Sequence, residues 1–341
     1  MKKLKISPAF VWVLSVLSFG HYGCNSNSPQ PSKPDLITIT QDAASAKKMA
    51  DEIKSQSAIK LAPGLNITLW ATDSLAPDPV AMDIDANNAI YLTRTNRQKN
   101  SEFDIRGYPH WMTPSIALKT VEDRRAFLHK TFATEKSEEN KWLEDLNKDS
   151  IHDWHDLAVE KEEVWKIEDL DGDGMAEKST RVINDFNDEI TDILAGILVR
   201  DYDMYLTVGP DVWHLEDTDR DGIMDKKTSI SHGYAVHIGF SGHNLSGIIQ
   251  GPDGKMYWNI GDIGATITDK AGNVYNHPNE GLILRSNPDG SNFEVFAKGL
   301  RNTHEFVFDE YGNLISSDND GDHRGESERL VHVVEGSDAG W

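Results

Sequence analysis

The segment GIIQGPDGKMYWNI, Gly247–Ile260, sets two apolar runs on either side of a Gly-Pro-Asp-Gly turn. Apolar residues alternate through each run, as half-buried antiparallel strands require, and glycine and aspartate supply the turn. The same strand–turn–strand pattern recurs three times: VAMDIDANNAIYLT (Val80–Thr93), AGILVRDYDMYLT (Ala195–Thr207) and EFVFDEYGNLISS (Glu305–Ser317). A second repeat links VWKIEDLDGDGMAEKST, from Val164, to VWHLEDTDRDGIMDKKT, from Val212. Short strands in units of about 40–50 residues predict a β-propeller rather than a two-sheet sandwich. The expected fold is therefore all-β: a six-bladed β-propeller, incomplete in this chain, with a helical insertion.

The insertion spans about residues 96–157, where Leu118, Val121, Leu128 and Phe132 fall at helix-compatible spacings in a charged segment; it is expected between two blades. ASAKKMADEIKS predicts a short helix before the propeller, and IKLAPGLNITLWAT a first strand entering it. Six blades plus the insertion and tail would overrun 341 residues, and no closing strand follows ERLVHVVE, so a longer protein is expected. The domain reading is a signal peptide over 1–24, a polar tether and short helix over 25–60, and the propeller over 61–341.

With 34 Lys and Arg against 56 Asp and Glu, the net charge is -22, which repels phosphate backbones and argues against nucleic acid as a partner. Lys2, Lys3 and Lys5 precede an apolar run, Ala9–Leu17, that is too short to span a bilayer. Cys24 is the single cysteine, so no internal disulfide is possible. Gly23-Cys24 after that run resembles a bacterial lipoprotein cleavage and lipidation site, which implies a lipid-anchored protein of the cell envelope.

Carboxylates cluster in three loops. Asp169, Asp171, Asp173 and Glu177, with Gly174, follow the opening of a Ca²⁺ loop, and Asp217, Asp219, Asp221 and Asp225, with Gly222, repeat it. Asp145, Asn147, Asp149, Asp153 and Asp156 form a third version inside the insertion. The bidentate Glu of an EF-hand is missing, so structural Ca²⁺ in strand-connecting loops is expected; the alternative is that Asp and Gly serve only as polar turns.

Superposing the turn Gly251–Gly254 on Asp309–Gly312 puts Arg301 where His243 stands, and the shorter turn near Tyr205 puts Thr191 or Asp192 there. Inner strands of a propeller begin around one mouth of its channel. His243, Arg301 and Asp192 are thus expected to converge as base, cation and acid, a catalytic grouping.

GHNLSGIIQGPDGKMYWNIGDIG, from Gly242, resembles the active-site segment of the soluble quinoprotein glucose dehydrogenases and the related aldose-sugar and sorbosone dehydrogenases. SNPDGSNFEVFAKGLRNTHEFVFDEYGNLISSDND resembles their next blade. The resemblance implies His243 as general base, and Arg301 and Asn302 as contacts of pyrroloquinoline quinone (PQQ). Gly242 departs from the family, which places Asp before the base. EDRRAFLHKTFA, SEENKWLEDLN and GSDAGW are similar to bacterial envelope proteins described as membrane-bound dehydrogenases or haem-binding proteins, which commonly carry a c-type cytochrome domain after the propeller. This chain has no C-x-x-C-H, so haem c would require a downstream domain.

The leading expectation is an envelope oxidoreductase that oxidises a sugar or alcohol hydroxyl with PQQ and Ca²⁺, passing electrons to a c-type cytochrome. A Ca²⁺-dependent lactonase-type hydrolase and a non-catalytic propeller that binds glycan or a partner are the alternatives.

Overall fold

The computed structural model describes residues 36–319 and 323–341, all within one unit spanning 31–341. Cys24 and the leader lie outside the described residues. The described chain opens with β1 (Thr38–Thr40) and α1 (Ala43–Gln56); Asp42 caps the helix by accepting from Ser45 N. The segment expected as an entering strand, around Ile67–Trp70, is irregular. Only its end packs: Trp70 and Ala71 rest on a cluster of Leu75, Leu92, Ile167 and Ala176, while Leu65 and Ile67 are exposed.

The first blade contains β2 (Met82–Ile84), β3 (Ile90–Arg94), β4 (Glu162–Glu168) and β5 (Lys178–Asp185), in that spatial order, with β1 added outside β5. The 96–157 insertion thus leaves from within this blade, between its second and third strands, and not between two blades. It is less helical than its spacings predicted. Beyond α2 (Met112–Ile116) and α3 (Val121–Thr131) it consists of single turns and irregular chain. Thr120 and Asp123 form a reciprocal capping box that starts α3. Gly107 and Pro109 fall among the single turns ahead of it, and Pro114 sits in the first turn of α2, where proline is tolerated.

The second blade is a meander of β6 (Leu194–Arg200), β7 (Asp203–Val208), β8 (Asp211–Glu216) and β9 (Lys226–His232). The third runs through β10 (Leu245–Gln250) and β11 (Met256–Ile260), detours into a hairpin of β12 (Ala265–Thr268) and β13 (Val274–His277), then closes with β14 (Gly281–Ser286) and β15 (Glu294–Leu300). The fourth is β16 (Thr303–Phe308), β17 (Leu314–Asp318) and β18 (Arg329–Val333). Inner strands lie side by side, β2 on β6, β6 on β10 and β10 on β16, as the blades of a propeller do. The incomplete β-propeller expected from the sequence is the observed architecture, with four blades among the described residues.

Blades stack face to face, so each interface is a core of its own. Val164 and Ile183 meet Leu194, Met204 and Leu206 between the first two blades. Tyr205 and Ile230 meet Trp258, Met256 and Leu284 at the next interface, and Tyr257 and Ile283 meet Phe306 and Leu314 at the third. Stacking on both sides corrects the half-buried reading: all five residues of β11, MYWNI, are buried. The insertion builds a further core in which Trp111, Phe132 and Leu157 pack with Ile190, Ile238 and Phe240, from the loops before β6 and β10. It therefore roofs the ends from which two inner strands begin.

Candidate active site

Asp192, His243 and Arg301 each stand two residues before an inner strand, ahead of β6, β10 and β16. All three are buried, with 5%, 4% and 2% of their surface exposed. The turn superposition has a structural counterpart: Gly254 N donates to Gly251 O at 2.9 Å, and Gly312 N to Asp309 O at 3.0 Å. The two hairpins close on the same hydrogen bond, which carries their matching positions to the same end.

His243 and Arg301 come together. His243 Nδ1 lies 2.7 Å from Asp262 Oδ1, and its ring stands edge-on to Phe240, 5.3 Å between centroids. Asp262 N donates to Arg301 O at 2.8 Å, joining the third blade to the fourth, and Asp262 Oδ2 accepts from Trp341 Nε1 at 3.1 Å. The Arg301 guanidinium sits 5.9 Å from the Phe240 ring centre and 5.5 Å from that of Trp341. Its Nη1 donates to Asn319 Oδ1 at 2.7 Å. Asp318 holds the backbone: its Oδ1 accepts from Arg301 N and Asn302 N, at 3.1 and 2.9 Å, while Arg329 pairs with Oδ2. Beside Arg301, the buried Asn302 Oδ1 has no hydrogen-bond partner.

Glycine makes this approach possible. At Gly261 a Cβ would lie 2.6 Å from His243 O, so only hydrogen fits where the His243 loop crosses the end of β11. Gly242, the position that departs from the quinoprotein pattern, has φ +90°, a conformation that disfavours any side chain.

Asp192 belongs to an adjoining polar cavity, lined by Glu102, Arg124, Phe240 and Asn244 among others. Phe240 is thus shared between this cavity and the His243–Arg301 pair. Arg124 Nη1 lies 3.8 Å from Asp192 Oδ2, which accepts no hydrogen bond. Glu102 Oε1 receives Asn244 Nδ2 and Ser241 Oγ, both at 3.4 Å, and Glu102 Oε2 receives nothing. Burial, then the Asp192 carboxylate, push Glu102 up to about 8. Glu162, buried behind them, is pushed up to about 7 by burial, against hydrogen bonds from Leu194 N and Thr95 Oγ1.

The carboxylate loops are separate from this mouth, at the β4–β5 and β8–β9 connections. Asp169, Asp171, Asp173 and Glu177 bring ligand oxygens within 4.8 Å of one another, and so do Asp217, Asp219 and Asp221. Asp225 instead takes the Thr218 hydroxyl, 2.7 Å from Oδ2. The third loop repeats the turn of the second: Asp149 N and Ser150 N donate to Asp145 and Ile151 N to Asp149, as Asp221 N and Gly222 N donate to Asp217 and Ile223 N to Asp221. Asp156 Oδ1 accepts from Leu146 N and Asn147 N, and Asp153 from Thr134 Oγ1 and His155 N. Asn147 Oδ1 also accepts from Asp149 N, as Asp219 accepts from Asp221 N in the second loop.

Residues 51–336 match the model of a family described as "Domain of unknown function (DUF7133)". The chain belongs to the DUF7133 family. No curated protein matches it. Solved structures similar to this DUF7133 protein include the PQQ-bound aldose sugar dehydrogenase of Streptomyces coelicolor, at 18% identity and a TM-score of 0.32, covering 55% of this chain and 57% of that one. A putative oxidoreductase (glucose dehydrogenase) of Thermus thermophilus shows 19% identity and a TM-score of 0.35, over 53% of this chain and 61% of that one. The PQQ domain of pyranose dehydrogenase from Coprinopsis cinerea shows 15% identity and a TM-score of 0.32, over 50% and 45%. The DUF7133 chain thus spans about half the length of these structures.

Proposed function

We propose that this DUF7133 protein is an oxidoreductase that oxidises a sugar or alcohol hydroxyl at the His243–Arg301 site, with PQQ as cofactor. The observation that carries the reading is the buried His243, paired with the half-buried Asp262 beside Arg301. A carboxylate on Nδ1 orients the ring and fixes its neutral tautomer, leaving Nε2 as the basic nitrogen. His243 takes the hydroxyl proton there, and Asp262 steadies the imidazolium that results.

The residues present suit PQQ, a planar tricarboxylate. Arg301 offers a buried cation between two aromatic rings for an anionic oxygen, and the unpartnered Asn302 Oδ1 offers an acceptor for an N–H. When bound, PQQ supplies the acceptor for the hydride leaving the carbinol carbon. Resemblance to the envelope dehydrogenases further supports a lipid anchor at Cys24 and electron transfer to a c-type cytochrome.

The test is reconstitution with PQQ and Ca²⁺, followed by reduction of an artificial acceptor with sugars and alcohols. His243→Ala should lower turnover by about 10²–10⁴-fold with folding intact. Arg301→Ala should weaken PQQ binding, read by titration, more than it weakens stability. A chain that neither binds PQQ nor reduces the acceptor with any such substrate overturns the reading.

A second reading, a cation-dependent lactonase-type hydrolase, is favoured by the adjoining cavity. There Glu102 Oε2 and Asp192 Oδ2 are buried without hydrogen-bond donors, and Asn244 stands beside them. Lactone hydrolysis that Asp192→Asn abolishes and His243→Ala spares would select it.

A further inference from the structure

The two repeated Asp loops occupy equivalent places in neighbouring blades, joining the third strand to the fourth in each. Their backbone geometry explains most of the aspartates. Asp169 accepts from Gly172 N and Gly174 N, at 2.7 and 2.9 Å, and Asp171 and Asp173 each accept from an N–H two residues on. Turn formation alone would account for these three.

It does not account for Glu177. This side chain is 7% exposed and turned inward, with Oε2 accepting from Leu170 N at 2.7 Å. Oε1 is buried and accepts no hydrogen bond, although the four carboxylates converge to within 4.8 Å. The nearby lysines are engaged elsewhere: Lys166 and Lys178 both pair with Glu168, at 3.1 and 2.8 Å. A buried carboxylate oxygen among three others is costly without a counter-charge.

We propose that Asp169, Asp171, Asp173 and Glu177 form a binding site for a hard divalent cation of the Ca²⁺ class, and that this cation clamps the N-terminal segment onto the first blade. All-oxygen ligation from a short flexible loop suits Ca²⁺ better than a transition metal. The clamp follows from what rests on the loop. Ala176 N donates to Trp70 O at 2.7 Å, Gln41 Nε2 to Ala176 O at 2.9 Å, and Gln41 N to Glu177 O at 2.9 Å. Immediately beyond, β1 pairs with β5, Ile39 opposite Ser179. Fixing the loop therefore fixes the platform under the segment from Leu36 to Leu75. The second loop gathers three carboxylates where the first gathers four, so it is the weaker site.

The test uses the full chain stripped with chelator and titrated with Ca²⁺ by calorimetry, and with Tb³⁺ by Trp-sensitised luminescence. Glu177→Gln should weaken the tighter event by roughly tenfold or more, as loss of a charged ligand does, whereas Asp221→Asn should leave it in place. Ca²⁺ should also slow proteolysis between α1 and Trp70, where Ile59, Leu61 and Leu65 are exposed, and should not do so in the Glu177 variant. Asp171→Asn, at an exposed position, gives the same reading if Glu177→Gln fails to fold. Absence of binding, binding unchanged in both variants, or cleavage indifferent to Ca²⁺ would overturn the clamp.

Discussion

Replacing Glu102 by Gln tests the polar cavity through the pH dependence of stability. Glu102 is raised from 4.5 to about 8, first by burial and second by Asp192. Between those values the unfolded chain has released this proton while the native chain keeps it. The native state then binds more protons, so wild-type stability falls as pH rises, by up to about 1.4 kcal/mol per pH unit from this one group. Gln has the same shape and nothing to release, and it can offer an N–H to a cavity in which Asp192 Oδ2 lacks a donor. Glu102 keeps partial exposure, so the limiting slope is not reached. The variant should gain roughly 2–3 kcal/mol over wild type between pH 5 and pH 8, after that discount. Glu162 and Arg124 are common to both proteins and largely cancel in the difference. Urea denaturation followed by Trp fluorescence at each pH, in chelator, measures it. A difference that stays flat with pH, or a variant less stable at pH 8, would refute the assignment.

Two further outcomes follow from the geometry and the leader. At Gly247, with φ +52°, a Cβ would lie 2.5 Å from His304 O and 2.6 Å from Asn259 Oδ1, so Gly247→Ala should destabilise the β10–β16 contact. A loss of roughly 1–3 kcal/mol by denaturant titration is expected, and an unchanged midpoint would show that the blades can shift apart there. Cys24→Ala should move the protein from the membrane to the soluble fraction on cell fractionation, and retention with the membrane would point to another attachment.

The blades were legible because their turns are written in residues whose backbone needs are local: Asp-Ala-Asn-Asn, Gly-Pro-Asp-Gly and Asp-Glu-Tyr-Gly each fall between two apolar runs. The equivalence of His243 and Arg301 came from the same punctuation. Asp262 was within reach of that reasoning and was missed. It lies eight residues after Gly254, as His243 lies eight before Gly251, so an antiparallel hairpin brings both to one end. Glu102 and Asn244 gave no such signal, because one comes from the insertion and only the tertiary fold sets it beside the mouth. The segment near Ile67 carries no ladder: Trp70 and Ala71 pack on the cluster of Leu75, Leu92, Ile167 and Ala176, while Ile59, Leu61, Leu65 and Ile67 are exposed. The third carboxylate loop repeats the turn of the second at Asp145, Asn147 and Asp149, while Asp153 and Asp156 beyond it bond Thr134, His155 and the loop backbone, which spacing alone does not separate.

The mouth separates chemistry from stability in a way the blade design makes natural. Asp192, His243 and Arg301 occupy one backbone position in three successive blades, so the fold asks only for an entry into an inner strand there. In these three blades it carries an acid, a base and a cation. What the fold does constrain sits one layer behind, at positions that have no freedom to vary. Gly261 admits no Cβ against His243 O, Asp318 is fully buried under the Arg301–Asn302 backbone, and Asp262 N spans the seam to Arg301 O. Changes at the three mouth positions should therefore alter binding or turnover with little loss of stability, whereas changes behind them should lose both. The roof from the first blade adds a further dependence. Phe240 touches His243, faces Arg301 and packs into the insertion core, so the orientation of the base relies on three blades at once.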